Sequence, residues 1–425
     1  MVLLPPWAAS PAAAGTVRHT RVVSANPVNN TPHVLDGIVN AIALVGRTVV
    51  VGGSFSQVRN AGSRTTVERS NIFAYDLVTG RILAGFAPIL DGQVRALADG
   101  PGGTVYAGGE FTETTATQAE NLPGVGPAAS GADTNGLVRL RLSDGAPMTD
   151  FGAQTYGGGV TALARSGSRL YVGGDFIGIS GTGRTALARL DAVSGVVDAG
   201  FAVRLGDPRG RRVKIASMAL SGDRLVVAGD FTTMNGLSRP QLGLVDVAAR
   251  PAKVANWRTS TYAARCKAVF PSYVRGVDFA PDGSYFAIVT TGGPQGPDKP
   301  CDSTARFETR PRSSLENVRP TWMNLTGGDS LYAVAVTGAA VYVGGHQRWL
   351  NNPLGHDSAG PGAVPRPGIS AIDPRTGKAL SWNPTRERGI GVKAFLAHHG
   401  GLLVGSDTTR LGHEYHARVG MFPLP

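Results

Sequence analysis

Small polar or acidic residues recur at one place in a repeated stretch. Ser54, Glu110, Asp175 and Asp230 each follow a glycine and precede a phenylalanine. A repeated acid could bind cations. The structural reading of the pattern is stronger: glycine allows close backbone approach, the short polar side chain bonds the following turn, and phenylalanine packs between neighbouring units. Separate units would also hold the four groups apart. Five of the eight histidines, His33, His346, His356, His413 and His416, fall in or beside loops that also carry Asp357, Asp407 and Glu414. Such a set could hold a metal, but its spacing matches no metal motif. His413-Glu414-Tyr415-His416 lacks the i, i+4 separation of a zinc-protease helix. His398 and His399 fall in a turn on the opposite face. No metal ligand and no cofactor is therefore assigned. There is no G-x-S-x-G elbow, no phosphate-cradling glycine loop with lysine, no sialidase-type Asp-box and no Tyr–Cys copper arrangement. No catalytic residue is assigned. A carboxylate pair of the glycosidase kind has no local spacing signature, so a carbohydrate-active hydrolase or lyase stays open as the alternative.

These residues are positioned by one stretch, read most cleanly as Leu170-Tyr171-Val172-Gly173-Gly174-Asp175-Phe176. Its second glycine recurs as Gly53, Gly109, Gly174 and Gly229, 56, 65 and 55 residues apart. Worn copies follow around Phe286, Val341 and Leu402. A repeat of this length made of strands and turns is the signature of a propeller or similar array. Each repeat divides into four strands. Strand A is exemplified by Val94 to Ala98 and strand B is the organising stretch. Strand C, as in Leu187 to Asp191, leads into turns such as Asp191-Ala192-Val193-Ser194-Gly195. Strand D carries one aromatic: Phe86, Phe151, Phe201, Trp257, Trp322 or Trp382. An early Asp bonds the turn backbone and a closing Gly takes positive φ. Seven A, B and C strands but six following D strands are counted. Thr31 to Gly37 aligns with Phe86 to Gly92, so the N-terminal segment is expected to supply the missing outer strand and to leave no long free edge. The expected fold is all-β: one seven-bladed β-propeller of four-stranded antiparallel blades over residues 15–425.

The pattern V-x-A-I-A, V-Y-V-G-G-D-F, L-A-R-L-D resembles the delta-60 repeat of secreted bacterial propellers, best known from actinobacteria. Tyr342 to Asn352, Gly360 to Gly368 and Ser381 to Pro384 are the most specific segments of that resemblance. It implies a propeller and export, and no established activity. Independently, Met1 to Ala14 is apolar and ends in Ala12-Ala13-Ala14, which reads as the remnant of a secretory signal peptide, residues 1–14. No stretch is apolar for long enough to be a membrane span. Cys266 and Cys301 sit in loops flanking one repeat on one face, and a disulfide between them suits an exported protein.

The formal net charge is +11, and 35 of the 41 basic residues are arginine. Only Arg209 to Lys214 forms a cluster, so the charges read mainly as a solvated surface, and nucleic acid is disfavoured as a partner. A–B and C–D turns are uniformly short. Length variation collects in the B–C and D–A loops, which marks the binding face. The residues opening strand A, namely Asn40, Arg95, Thr161, Arg275, Tyr332 and Lys393, should line a channel mouth there. Three cations with polar and aromatic neighbours suit an anionic or sugar-like ligand, first of all an acidic polysaccharide or cell-wall polymer. The expectation is a monomeric, secreted or wall-associated, non-enzymatic binding protein.

Overall fold

The computed structural model describes residues 17–115, 132–267, 272–312, 317–385, 387 and 389–425. The leader segment 1–14 and the start of the domain at residue 15 lie outside these residues, as does most of the long loop after Thr115. Among the described residues regular structure is almost wholly β, with a short 3-10 turn at Thr261–Ala263. No helix there is long and apolar enough to cross a membrane.

The A–B–C pattern folds as antiparallel sheets in that spatial order. Val160–Ser166 pairs with Arg169–Gly174, which pairs with Leu187–Asp191. The same arrangement joins Ile38–Val45, Thr48–Ser54 and Ile72–Asp76, and it joins Ala394–His398, Gly401–Gly405 and Val419–Pro423. Strand B lies in the middle and is buried on both faces; Arg169–Gly174 is buried from Leu170 onward. A continuous apolar run is what such a strand needs. Turn chemistry works as expected. Asp191 Oδ1 accepts the N–H groups of Val193 (3.0 Å) and Ser194 (2.9 Å), and Gly195 closes the turn at φ +75°.

Strand D is shorter than expected. It is a ladder at Lys253–Val254 and Trp322–Leu325, but only a single bridge at Tyr75 with Ile82, Leu140 with Pro147, Leu190 with Val197, and Ile372 with Ala379. Its aromatic residue matters more than its ladder. Phe86, Phe151, Phe201, Trp257, Trp322 and Trp382 are all buried. Trp382 touches both Tyr342 and Phe422, with ring centroids 5.2 Å apart in each case, and so bridges successive sheets. The core accordingly lies between neighbouring sheets. One cluster joins Val50, Ile72 and Phe86 of the first repeat to Val94, Val105 and Val138 of the second.

The two glycines of the organising stretch have separate roles. A Cβ on Gly52 would stand 2.5 Å from Val94 Cγ1 of the next repeat, whereas one on Gly53 would stand 2.0 Å from the Ile38 carbonyl oxygen of its own sheet. The first glycine admits the neighbouring A strand, and the second lets strand A turn in. Gly405 repeats the first role toward Val39, across the two ends of the chain, at 2.5 Å. The N-terminal segment runs along the last sheet. Ser24 N–H donates to Pro423 O (2.8 Å), Val28 N–H to Met421 O (2.9 Å) and Val34 N–H to Ala417 O (2.9 Å). Thr31, in the aromatic position of the alignment, is buried.

Among the described residues several B–C and D–A loops carry short ladders. Thr155–Tyr156 pairs with Gly178–Ile179, Trp349–Leu350 with Val364–Pro365, and Arg410–Leu411 with Glu414–Tyr415. Small ribbons therefore cover the face on which the long loops collect.

Candidate functional site

The residues expected at the mouth are displayed by a backbone device. Near the start of strand A the register slips between Val39 and Ala41, Val94 and Ala96, Val160 and Ala162, Ile215 and Ser217, Val274 and Gly276, and Leu331 and Ala333. The extra residue is Asn40, Arg95, Thr161, Ala216, Arg275 or Tyr332. A bulge leaves one residue outside the ladder and re-aims its side chain. Lys393 differs: it precedes the Ala394–His398 strand, and its N–H donates to Gly405 O at 2.9 Å. Asn40, Arg95, Thr161, Arg275, Tyr332 and Lys393 line one cavity of about 390 Å³. Lys214, Asp230 and Ser272 also border it, and sequence reasoning missed them. Asp230 ends the organising stretch of its repeat and Lys214 opens strand A, so a signal was present for both. Beneath this cavity a second, of about 300 Å³, runs between the A strands as far as Asp99, Arg165 and Asp278.

The cations at the mouth are not bare. Arg95 pairs with Glu110 at 2.8 Å. Arg275 donates to the carbonyls of Ser272 (2.9 Å) and Val274 (3.2 Å). Lys393 Nζ stands 3.4 Å from the centre of the Tyr332 ring, whose negative face attracts it. Burial raises the Asp230 carboxyl above its ordinary value, against the pull of Arg211 at 3.1 Å. Four cations (Arg95, Lys214, Arg275, Lys393) against Asp230 and the outlying Glu110 still leave the mouth positive. Asn40 and Thr161 have a structural share as well. Asn40 Nδ2 donates to Val94 O (3.2 Å) and Thr161 Oγ1 to Ile215 O (2.5 Å), which stitches neighbouring A strands together.

The histidines pack rather than gather. His33 meets Tyr415 at 4.7 Å and His416 at 6.4 Å in edge contacts. Burial lowers His33 to about 4. His356 and His413 are exposed. Among the described residues no group of three His, Cys, Asp or Glu could hold a metal ion. Two of the repeated acids, Glu110 and Asp175, border a single cavity between the second and third repeats. Cys266 and Cys301 form a disulfide with a Cα separation of 5.8 Å.

A family described as a domain of unknown function (DUF5122) beta-propeller matches residues 168–201, the span around the clearest copy of the organising stretch. No curated protein matches the sequence. Among solved structures, that of U3-55K is similar at 12% identity and a TM-score of 0.53, covering 94% of this chain and 100% of that one. Saccharomyces cerevisiae Sqt1 aligns at 10% identity and a TM-score of 0.47, covering 94% of this chain and 99% of that one. The computationally designed Ika8 protein aligns at 12% and 0.47, covering 95% and 100%. At such identities the likeness to U3-55K carries the fold alone. With the repeated antiparallel sheets and the family match, it makes this chain an all-β protein of β-propeller architecture.

Proposed function

We propose that the chain is an exported, non-enzymatic propeller of seven delta-60-type blades that binds an anionic polymer, first of all an acidic polysaccharide, at the mouth of its central channel. One observation carries the reading: equivalent positions in successive repeats, six of them bulged out of their ladders, line one positive cavity. Closure of the ring by the N-terminal segment is supported by its hydrogen bonds to Pro423, Met421 and Ala417 and by the Gly405–Val39 approach. Export is supported by the disulfide, which persists in oxidising compartments.

The test is a glycan array on the purified chain, with product analysis of the same glycans, followed by titration of polygalacturonate. Replacing Arg95, Arg275 and Lys393 together by Gln should weaken polygalacturonate binding about tenfold or more and flatten its salt dependence. Arg95→Gln also frees the charge of Glu110, which adds repulsion. Binding that survives with the same salt dependence moves the site off the mouth. A carbohydrate-active enzyme on this face is the second reading. The observation for it is Asp230, a carboxyl raised by burial with Asp207 nearby. Binding without turnover decides for the binding protein.

A further inference from the structure

The cavity bordered by Glu110 and Asp175 has a volume of about 570 Å³. Its floor is the run Gly157-Gly158-Gly159, on which no side chain can stand. A Cβ at Gly157 would lie 2.5 Å from Ile177 Cγ1, one at Gly158 2.6 Å from the Asp175 carbonyl oxygen, and one at Gly159 2.3 Å from that of Gly109. The run is held from below. Thr155 Oγ1 donates to Gly158 O (2.8 Å), Gly159 N–H donates to Asp175 Oδ1 (2.9 Å), and the Arg212 guanidinium donates to the carbonyls of Gly157 and Asp175. A preformed concave floor is what a small ligand requires.

Tyr156 stands at the edge of this floor. It pairs across the ribbon with Gly178, and its ring rests on that residue: a Cβ there would lie 1.9 Å from Tyr156 Cζ and 2.1 Å from Cε1. The missing side chain lets the ring lie against the backbone, and 45% of the residue remains exposed. Ile177, next to Gly178, is 52% exposed. An aromatic ring and an aliphatic side chain thus lie open to solvent beside two carboxylates.

That combination selects a ligand. The C–H face of a sugar ring is apolar and carries slight positive charge, which complements the negative face of a tyrosine ring. Its hydroxyl edge needs acceptors, and an ionised carboxylate can accept about four hydrogen bonds. Asp175 Oδ2 stands 3.6 Å from the Arg212 guanidinium. Glu110 and Asp175 are each offset by an arginine, Arg95 at 2.8 Å and Arg212 at 3.6 Å, so the cavity has little net charge with which to hold an acidic sugar. We infer that this cavity binds a neutral pyranose unit stacked on Tyr156. Glu110 pairs with Arg95 at the mouth, and Gly159 lies two residues before Thr161, so the two cavities adjoin. For its acidic neighbour the inference rests on the function proposed above: together the cavities fit a heteropolymer in which a neutral sugar adjoins an acidic one. The neutral site itself stands apart from that reading.

The test titrates the whole chain with neutral methyl pyranosides of glucose, galactose and mannose at millimolar concentration, read by ligand-observed NMR. At least one should bind. Tyr156→Ala should weaken it about tenfold, while Tyr156→Phe, which loses only a 3.4 Å contact to Thr182 O, should keep it. Gly178→Ala should also weaken it, by lifting the ring with Tyr156 still present. The double Gln variant of Arg275 and Lys393, which keeps the Arg95–Glu110 pair, should leave neutral binding unchanged. No neutral binding in the parent chain, or neutral binding indifferent to Tyr156→Ala, overturns the inference and leaves the channel-mouth reading standing. Neutral binding lost with Tyr156, alongside polygalacturonate binding indifferent to the triple variant, overturns the mouth and keeps this site.

Discussion

Asp278 stands where Ala98, Ala164 and Ala335 stand in other A strands, and its side chain lines the deeper cavity. Its carboxylate oxygens accept N–H bonds from Phe279 (3.0 Å) and Val336 (2.7 Å). These bonds favour the charged form, yet burial outweighs them and pushes the carboxyl up to about 8. The native state therefore keeps a proton that the unfolded chain releases near pH 4. Between those values the native state binds more protons, so stability falls as pH rises through the window. Four units of difference would cost about 5–6 kcal/mol above pH 8 if the site were dry. The side chain is only partly buried on its cavity side, and water there screens part of the cost, leaving about 2–4 kcal/mol. Asp278→Asn cannot ionise. It sets an amide against one of the two N–H donors, a penalty that does not vary with pH. Thermal melts of both proteins from about pH 5 to about pH 9 should show the parent chain losing ground to the variant as pH rises, by several degrees over the range. Parallel curves would refute the argument, because they would mean the native carboxyl ionises as freely as the unfolded one.

The disulfide closes 35 residues, for which chain entropy gives roughly 3–4 kcal/mol; replacing Cys266 and Cys301 by Ser should lower the melting temperature accordingly. Intact mass before and after reduction checks the bond, and two thiols that alkylate under denaturing conditions without reductant would exclude it. Deleting everything before Asp36 removes Val23 and Val34, both buried, and the hydrogen bonds to the last sheet. Loss of that burial alone is worth about 3–6 kcal/mol, and the exposed edge should promote aggregation. A truncated chain that stays monomeric with an unchanged melting temperature would contradict the closing role proposed for this segment.

Much of the fold is legible in the chain because its cues are local. Turn residues such as Asp191 and Gly195, the alternation along strand A, and the apolar run of strand B act over a few residues and repeat, so each copy checks the others. The D aromatics could be counted for the same reason, although four of the six D strands proved too short to form more than a single bridge. The bulged residues that line the cavity of about 390 Å³ share equivalent positions, because repetition places equivalent residues alike. What each of them touches depends on contacts between repeats. Glu110 meets Arg95 and Lys393 meets Tyr332 only after the bulges turn Arg95 and Tyr332 out of their ladders. Asp278 reads as one polar residue in an apolar strand until the neighbouring A strands enclose it. Gly178 looks like an ordinary ribbon residue until Tyr156 is laid across it. Periodicity along the chain decides which face a side chain takes. Only the packing of distant segments decides what lies opposite, how much water remains, and so which charges and rings are left open to a ligand.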